Sequence, residues 1–307
     1  MKGGRNMIDV CLLGTGGTMP LPGRALTSLL LRYNGHTFLV DCGEGTQVQI
    51  RKSGFSMHDI DVILITHFHA DHVTGLSGLL LSMAKSERRE KVTIVAPKGG
   101  TEIIRCLCIT APAMPFELEI KELTEMKERF ELYGLIIDAV EAEHSVLCYA
   151  YSFTLSRKGR FDAEKARTLG VIVKDWKLLQ NGTSIIAGGR TITPEMVLGA
   201  PRKGIKVTYC TDTRPLPRLT ELAMDSDLLI CEGMYAEEDK LKMAIEKKHM
   251  IFFEAAKTAH DANAKKLWLT HFSPALDDPQ SYSDYIKAKF DNSLIPNDLE
   301  KIELRYT

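Results

Sequence analysis

The chain predicts an α/β protein whose sheets are covered by helices. Short apolar, β-branched runs alternate with longer amphipathic runs, the pattern of strands interleaved with covering helices. Polar or ionisable residues stand just past several of the apolar runs, where sites form at the carboxyl ends of strands. Hydrophobic residues make up 44% of the 307 positions, enough for a sizeable core in one large domain or two modest ones.

Taken in order, Ile8–Leu13, Thr27–Leu31 and Thr37–Val40 predict strands, Gln47–Lys52 a short helix and Asp61–Thr66 another strand. A helix is predicted over Asp71–Ala84, and the charge run Lys85–Lys91 after it reads as a solvated loop. Val92–Ala96 predicts a strand, Thr101–Ile109 a helix and Val146–Phe153 a strand. Further on, Ile205–Thr211, Leu228–Cys231 and Lys266–Thr270 predict strands, with helices over Glu237–Lys247, Phe252–Ala264 and Tyr282–Lys289. Phe153–Gly204 breaks this rhythm. It is glycine-rich and basic, carrying Arg157, Lys158, Arg160, Lys165, Arg167, Lys174 and Lys177 together with Arg190, Arg202 and Lys203. We read 153–204 as an inserted arm within a single domain spanning 1–307; charge alone leaves a solvated surface excursion as the alternative.

The formal net charge of -1 gives no bulk reason to expect nucleic acid or membrane binding. Seven cysteines, an odd number without Cys-x-x-Cys spacing, read as reduced thiols of a cytoplasmic protein. No run approaches the ~20 apolar residues of a membrane span. The apolar stretch Ile8–Leu13 is too short for a signal-peptide core and leads into the Gly14–Thr18 turn. Met7 is a second candidate start, which would leave Met1–Asn6 without structural weight.

The most informative passage is His67-Phe68-His69-Ala70-Asp71-His72. Four metal-ligand side chains in six residues, after a buried strand, are costly to keep unless a cation satisfies them. His67 and His69, two apart on extended chain, point the same way. Asp71 and His72 fall where strand turns to helix and aim elsewhere, which suits two ions better than one. Beyond other strands stand Asp41, Asp212, Glu232 and His271. His144 precedes a strand and is a candidate ligand; His249, between two helices, is a candidate acid or base. His36, His58 and His260 read as surface or capping residues. The expected division is His67, His69 and His144 on one ion, Asp71, His72 and His271 on the other, with Asp212 bridging. Nitrogen and oxygen donors suit Zn2+, and Mn2+ or Fe2+ also fit. Two such ions hold a bridging hydroxide and stabilise entering and leaving oxygens. Cys210, two residues before Asp212, competes as a ligand if it shares that strand face.

These residues resemble the metallo-β-lactamase superfamily and, within it, the ribonuclease Z family of endonucleases that mature the 3′ end of transfer RNA. The resemblance runs from Leu12 to about Pro274. The hexapeptide marks the superfamily. Asp41-Cys42-Gly43-Glu44-Gly45-Thr46-Gln47, Thr211-Asp212-Thr213 and Leu269-Thr270-His271-Phe272-Ser273 resemble the finer motifs. The resemblance implies a four-layer αββα sandwich, with Asp41 supporting the metal ligands. It implies that a metal-bridging hydroxide attacks phosphorus, with Asp71 orienting it or taking its proton. It also implies that Glu232 orients His249, which protonates the leaving oxygen. The arm is then an exosite for precursor tRNA in a homodimer, with Arg160–Ala166, Leu169–Val171 and Val197–Gly199 resembling its pieces. Two segments depart from the family pattern. Val171-Ile172-Val173-Lys174-Asp175-Trp176 lacks the usual Gly-Pro step, and Pro20-Leu21-Pro22-Gly23-Arg24-Ala25 lacks the lysine and asparagine of a Pro-x-Lys-x-Arg-Asn loop. The expected function is cleavage of the 3′ trailer from precursor tRNA. The alternative is a phosphodiesterase for small or cyclic diesters. Lactam or thioester hydrolysis gives Glu232, His249 and the arm no purpose, and a non-catalytic RNA-binding protein gives the ligand set none.

Overall fold

The computed structural model describes residues 7–111 and 114–306. The candidate leader Met1–Asn6 lies outside the described residues. The chain forms two compact units. Among the described residues, the larger holds those from Met7 to Thr154 together with Lys206–Arg305, the smaller Leu155–Ile205 with Tyr306.

In the larger unit, β1 (Met7–Gly14), β2 (Ser28–Tyr33), β3 (His36–Val40), β4 (Ile60–Leu64), β5 (Val92–Pro97) and β6 (Leu118–Leu123) belong to the first sheet. The second begins with β7 (Lys127–Leu132), β8 (Leu135–Glu141) and β9 (Tyr149–Arg157). A separate hairpin, β10 (Ile185–Ala187) and β11 (Arg190–Ile192), follows in the smaller unit. Then come β12 (Arg202–Cys210), β13 (Leu228–Glu232), β14 (Leu267–Thr270), β15 (Ser293–Leu294) and β16 (Glu300–Arg305). The sheets run β16-β1-β2-β3-β4-β5-β6 and β15-β14-β13-β12-β9-β8-β7. β3 to β6 pair in parallel, as do β12 to β15, while β16-β1-β2-β3 and β7-β8-β9 are antiparallel.

The central strands of each sheet are buried on both faces, and strand alternation shows why. Cys11, Leu13, Leu30, Leu39, Ile63 and Ile94 pack in one cluster with Ile50 of α1 (Thr46–Ser53), Val73 of α2 (Ala70–Val73), Leu79 of α3 (Leu76–Lys85) and Ile104 of α4 (Gly100–Leu107). The intervening Leu12, Leu29, Leu31, Phe38, Val40 and Leu64 are equally inaccessible and face the other way. Phe38 of β3 meets Phe153 of β9 edge-on at 6.1 Å, so those faces are the inter-sheet core. On the far side, Cys210, Leu229, Cys231 and Leu269 pack with outer helices described below. The result is a four-layer αββα sandwich, with near-continuous apolar runs where strands are covered twice.

In the smaller unit, α5 (Ala163–Thr168), α6 (Trp176–Gln180) and α7 (Pro194–Val197) accompany the β10–β11 hairpin. Ala166, Val171, Leu179, Ile192 and Val197 form its own small core. In the larger unit, α8 (Pro217–Ala223), α9 (Leu241–Lys247), α10 (Phe252–Asp261) and α11 (Ser283–Lys289) complete the helices. Leu219, Ala244, Ala255 and Ile286 are among their buried side chains, and of these all but Ala244 join the second sheet's outer cluster.

The structure corrects three expectations. The helix expected over Asp71–Ala84 is two helices, broken at Thr74–Gly75. The N–H of Gly75 donates to Cys42 O at 2.9 Å, and a Cβ there would lie 2.0 Å from Gly43 O, so backbone meets backbone where no side chain fits. The strand expected over Asp61–Thr66 ends at Leu64, leaving Ile65 and Thr66 between it and the histidine run. The Lys85–Lys91 run is solvated except for Arg88, which is 1% exposed. The Arg88 guanidinium donates to Asp61 at 2.9 Å and to the carbonyls of His58, Glu90 and Lys91, which lets a charge sit inside.

Candidate metal centre

Three of the polar residues standing past strand ends share an unusual backbone. Asp41 directly follows β3, His271 directly follows β14 and Asp212 follows β12 after Thr211, with φ of 61°, 59° and 52°. Left-handed φ is rare for residues with a Cβ and concentrates at functional sites. It turns the chain off the strand, so the side chain no longer follows the strand's alternation. That separates Asp212 from Cys210: the thiol packs in the outer apolar cluster and takes no part in the candidate metal groups, so the expectation that Cys210 competes as a ligand is corrected. His67, His69, Asp71 and His72 reach the same rim from the stretch after β4. His69 caps α2, and that helix carries Asp71 and His72.

The candidate ligand atoms fall into three groups: two follow the expected division, and a third brings Asp212, His249 and His271 together. His67, His69, His144 and Asp212 bring one atom each within 4.8 Å of one another, as do Asp71, His72 and His271. In the first, His67 Nε2 lies 3.0 Å and His144 Nε2 3.1 Å from His69 Nδ1. In the second, Asp71 Oδ2 lies 3.4 Å from His72 Nε2 and 3.5 Å from His271 Nε2, with 3.3 Å between the two imidazoles. Asp212 stands between. Its Oδ2 is 3.7 Å from both His67 and His144, and its Oδ1 is 3.2 Å from His72 and 3.1 Å from His271. All but His69 and Asp71 are buried. Among the described residues, no such group includes His36, His58 or His260.

The surroundings test whether cations fit. Asp41, fully buried, accepts from His72 Nδ1 at 2.8 Å and from the N–H and hydroxyl of Thr66. The Thr66 proton goes to that acceptor-only carboxylate, so its oxygen is free to accept from His67 Nδ1 at 3.0 Å. One carboxylate thereby sets a tautomer in each cluster, leaving both Nε2 lone pairs aimed inward, the arrangement that orients metal-bound histidines. His271 Nδ1 is buried with no hydrogen-bond partner. That costs about 1–3 kcal/mol. The nitrogen and carboxylate donor set fits a pair of divalent cations.

The rim adds two further contacts. The N–H of Thr18 donates to Asp71 Oδ2 at 2.7 Å. Gly17 lies against His271, and a Cβ there would be 2.7 Å from the ring, so the Gly-rich turn of the sequence walls the site. Arg24, in the altered early loop, donates to the carbonyls of Ser273 and Asp277.

His249 stands beside both clusters. Its ring centroid is 5.2 Å from that of His144 and 5.4 Å from that of His271. Glu232, fully buried at the end of β13, faces His249 Nδ1 at 3.0 Å. Burial pushes the imidazolium down, but the Glu232 carboxylate outweighs it and the His249 pKa is raised to about 9. The Glu232 pairing thus favours the protonated form of His249, with Nε2 as the other ring nitrogen.

Sequence reading missed Thr66 and Thr18. A threonine ending a β-branched run reads as strand, and a main-chain donor leaves no compositional signal. The arm residues Lys158, Arg160, Lys165, Arg167, Lys174 and Lys177 are exposed, and Arg157 stacks over Tyr306 at 4.8 Å.

A family model described as Anti-Pycsar protein Apyc1 matches residues 8–167, which takes in the histidine run and His144 but stops before Asp212, Glu232, His249 and His271. Ribonuclease Z of Lachnospira eligens is 49% identical over 300 residues, covering 98% of this chain and 99% of its own length. Ribonuclease Z of Agathobacter rectalis is 50% identical over the same coverage. Among solved structures, human tRNase Z, short form, aligns over 96% of this chain and 98% of its own with a TM-score of 0.68 at 23% identity. The metallo-β-lactamase fold protein YhfI from Bacillus subtilis aligns over 97% and 99% with a TM-score of 0.68 at 17% identity. The sandwich is therefore the metallo-β-lactamase fold. The Apyc1 family model describes its first half, and at 49–50% identity across nearly its whole length the chain belongs to the ribonuclease Z family of hydrolases.

Proposed function

We propose that the chain is a metal-dependent endoribonuclease that cuts the 3′ trailer from precursor tRNA. One observation carries the reading. A proton donor, His249, is held by a buried carboxylate against one histidine from each of two ligand clusters. That arrangement serves displacement at phosphorus, where one oxygen enters as another leaves.

His67, His69 and His144 would hold one divalent cation, and Asp71, His72 and His271 the other, with Asp212 shared. Such cations, Zn2+ by donor type with Mn2+ or Fe2+ also fitting, activate water and neutralise charge on the phosphoryl oxygens. Asp71, whose carboxylate is held ionised against burial by His271 and His72, would accept a hydrogen bond from the attacking water and orient it. The phosphorus–3′ oxygen bond breaks and His249 Nε2 gives its proton to that oxygen. Glu232, fixed by the N–H groups of Thr213 and Met250, keeps the imidazolium oriented and charged. A positioned acid of this kind contributes roughly 10²–10⁴-fold.

We assign the arm of 153–204, most of which is the smaller unit, to the body of the tRNA, through Arg157, Lys158, Arg160, Lys165, Arg167, Lys174 and Lys177. A homodimer and a cytoplasmic setting belong to the same proposal; among the described residues no helix is long and apolar enough to cross a membrane.

Single-turnover cleavage of a precursor tRNA at defined metal tests the reading. Replacing Lys165, Arg167, Lys174 and Lys177 by alanine should weaken tRNA binding and flatten its salt dependence. Hydrolysis of bis(p-nitrophenyl) phosphate should not change. Equal loss on both substrates would remove the arm from the argument. A wild-type protein that hydrolyses the small diester but not precursor tRNA would return the alternative, a phosphodiesterase for small or cyclic diesters.

A further inference from the structure

Arg214 is the charged side chain that the proposed chemistry leaves unused, although it lies two residues from Asp212. Its guanidinium forks. Nη1 donates to the main-chain carbonyl of His249 at 2.5 Å and to Glu254 Oε2 at 2.9 Å, while Nη2 reaches Glu254 Oε1. Its own N–H donates to Glu143 O at 3.1 Å, next to His144. Glu143 N–H in turn donates to Thr213 Oγ1 at 3.0 Å, and Thr213 N–H donates to Glu232. The pair Thr213-Arg214 therefore ties together the segments that carry Asp212, His144, Glu232 and His249.

The His249 segment is tied at its N–H, which donates to Ala244 O at 2.8 Å, and at its carbonyl by Arg214. It is a short link between α9 and α10, entered through Lys248 in a left-handed conformation at φ 58°. Glu232 fixes the imidazole and the Met250 N–H, but neither contact fixes the His249 carbonyl. The Arg214 side chain is 14% exposed and Glu254 15%, so this bidentate pair is largely shielded and its geometry is directional. Glu254 also accepts the N–H of Ile251 at 3.1 Å, which makes the start of α10 the anchor.

We propose that Arg214 is a positioning residue for proton delivery, holding the His249 link in register with the carboxylate that stands between the two metal clusters. The proposal rests on the endonuclease reading. It predicts a leaving-group signature. The 3′ alkoxide of an RNA needs a proton as it departs, whereas the aryloxide of bis(p-nitrophenyl) phosphate leaves without one.

Arg214→Lys keeps the charge beside Glu254 but cannot fork to the His249 carbonyl. It should slow single-turnover cleavage of precursor tRNA about tenfold, a part of the roughly 10²–10⁴ that a positioned acid supplies. KM and bound metal per chain should be unchanged, and cleavage of the aryl diester should fall far less. In a His249→Ala background, Arg214→Lys should cost nothing further, because the group it positions is gone. Equal loss on both substrates, or a full tenfold loss on top of His249→Ala, would overturn the proposal. Glu254→Gln, which loosens the anchor without touching Arg214, should show the same selective loss in milder form, and indifference of the tRNA rate to both variants would also overturn it. If His249→Ala itself leaves precursor cleavage unslowed, the endonuclease mechanism fails instead.

Discussion

Replacing Asp41 by asparagine isolates the carboxylate that orders both clusters. The substitution is nearly isosteric, and asparagine tolerates the φ of 61° found there, so the backbone has no reason to move. What changes is donor and acceptor pattern. The asparagine oxygen can still accept from the Thr66 N–H, now 2.8 Å from Asp41 Oδ1. Its amide nitrogen then faces His72 Nδ1, which lies 2.8 Å from Oδ2. Two N–H groups cannot point at each other, so His72 must move its proton to Nε2, the atom lying 3.3 Å from His271 Nε2 and 3.2 Å from Asp212. That blocks the lone pair that a cation would use. Loss of a group supporting a metal-bound histidine typically costs 10–100-fold in affinity, or about 1.4–2.8 kcal/mol. Chelator competition with stoichiometry measured at each step should show one of two ions released at that much lower chelator concentration. The Thr66 link to His67 survives in part, so the other ion should be held more nearly as in the wild type. Two ions bound with unchanged affinity would refute the relay, and so would equal weakening of both.

Two further outcomes follow from the same structure. Below its raised pKa of about 9 His249 is protonated, and the rate should fall as pH rises through that value; Glu232→Gln removes the charge that raises it, so the falling limb of the pH–rate profile should move toward neutrality, and an unmoved limb would detach Glu232 from His249. Arg88→Met leaves Asp61 paired with His36 at 2.7 Å but strips the carbonyls of His58, Glu90 and Lys91 of their donor, and should cost about 1–3 kcal/mol of stability, read as a lower midpoint in denaturant, with the rate per folded molecule retained because Arg88 contacts no residue of the metal centre.

The histidine run illustrates how far local spacing carries. Two histidines two apart on extended chain share a direction, and an aspartate and histidine opening a helix take another. That division, with Asp212 facing both groups, is the geometry observed. Glu232 and His249 were legible more weakly, because a carboxylate after a strand and a histidine between helices have many uses. The break at Gly75 was not legible. Its cause is the backbone of Gly43, thirty-two positions away in the chain, and a glycine inside an apolar pattern does not reveal what approaches it. Arg88 was misread for the same reason. Its neighbours are charged and exposed, and only the carbonyls of His58, Glu90 and Lys91 with Asp61 make its burial tolerable.

The sequence by itself determined the alternation of elements, the ligand types and the grouping of the hexapeptide. These follow from strand and helix periods and from the chemistry of nitrogen and oxygen donors, all of which act over a few residues. Tertiary structure alone decided which hydroxyl and carboxylate orient each imidazole, that Cys210 turns away while Asp212 turns in, and that Arg214 reaches the His249 link. Those outcomes depend on left-handed turns at strand ends and on hydrogen bonds between segments remote in the chain, and such contacts are directional over a few tenths of an ångström. No pattern along one strand of text encodes them, because the partner that gives each residue its role is supplied by the fold.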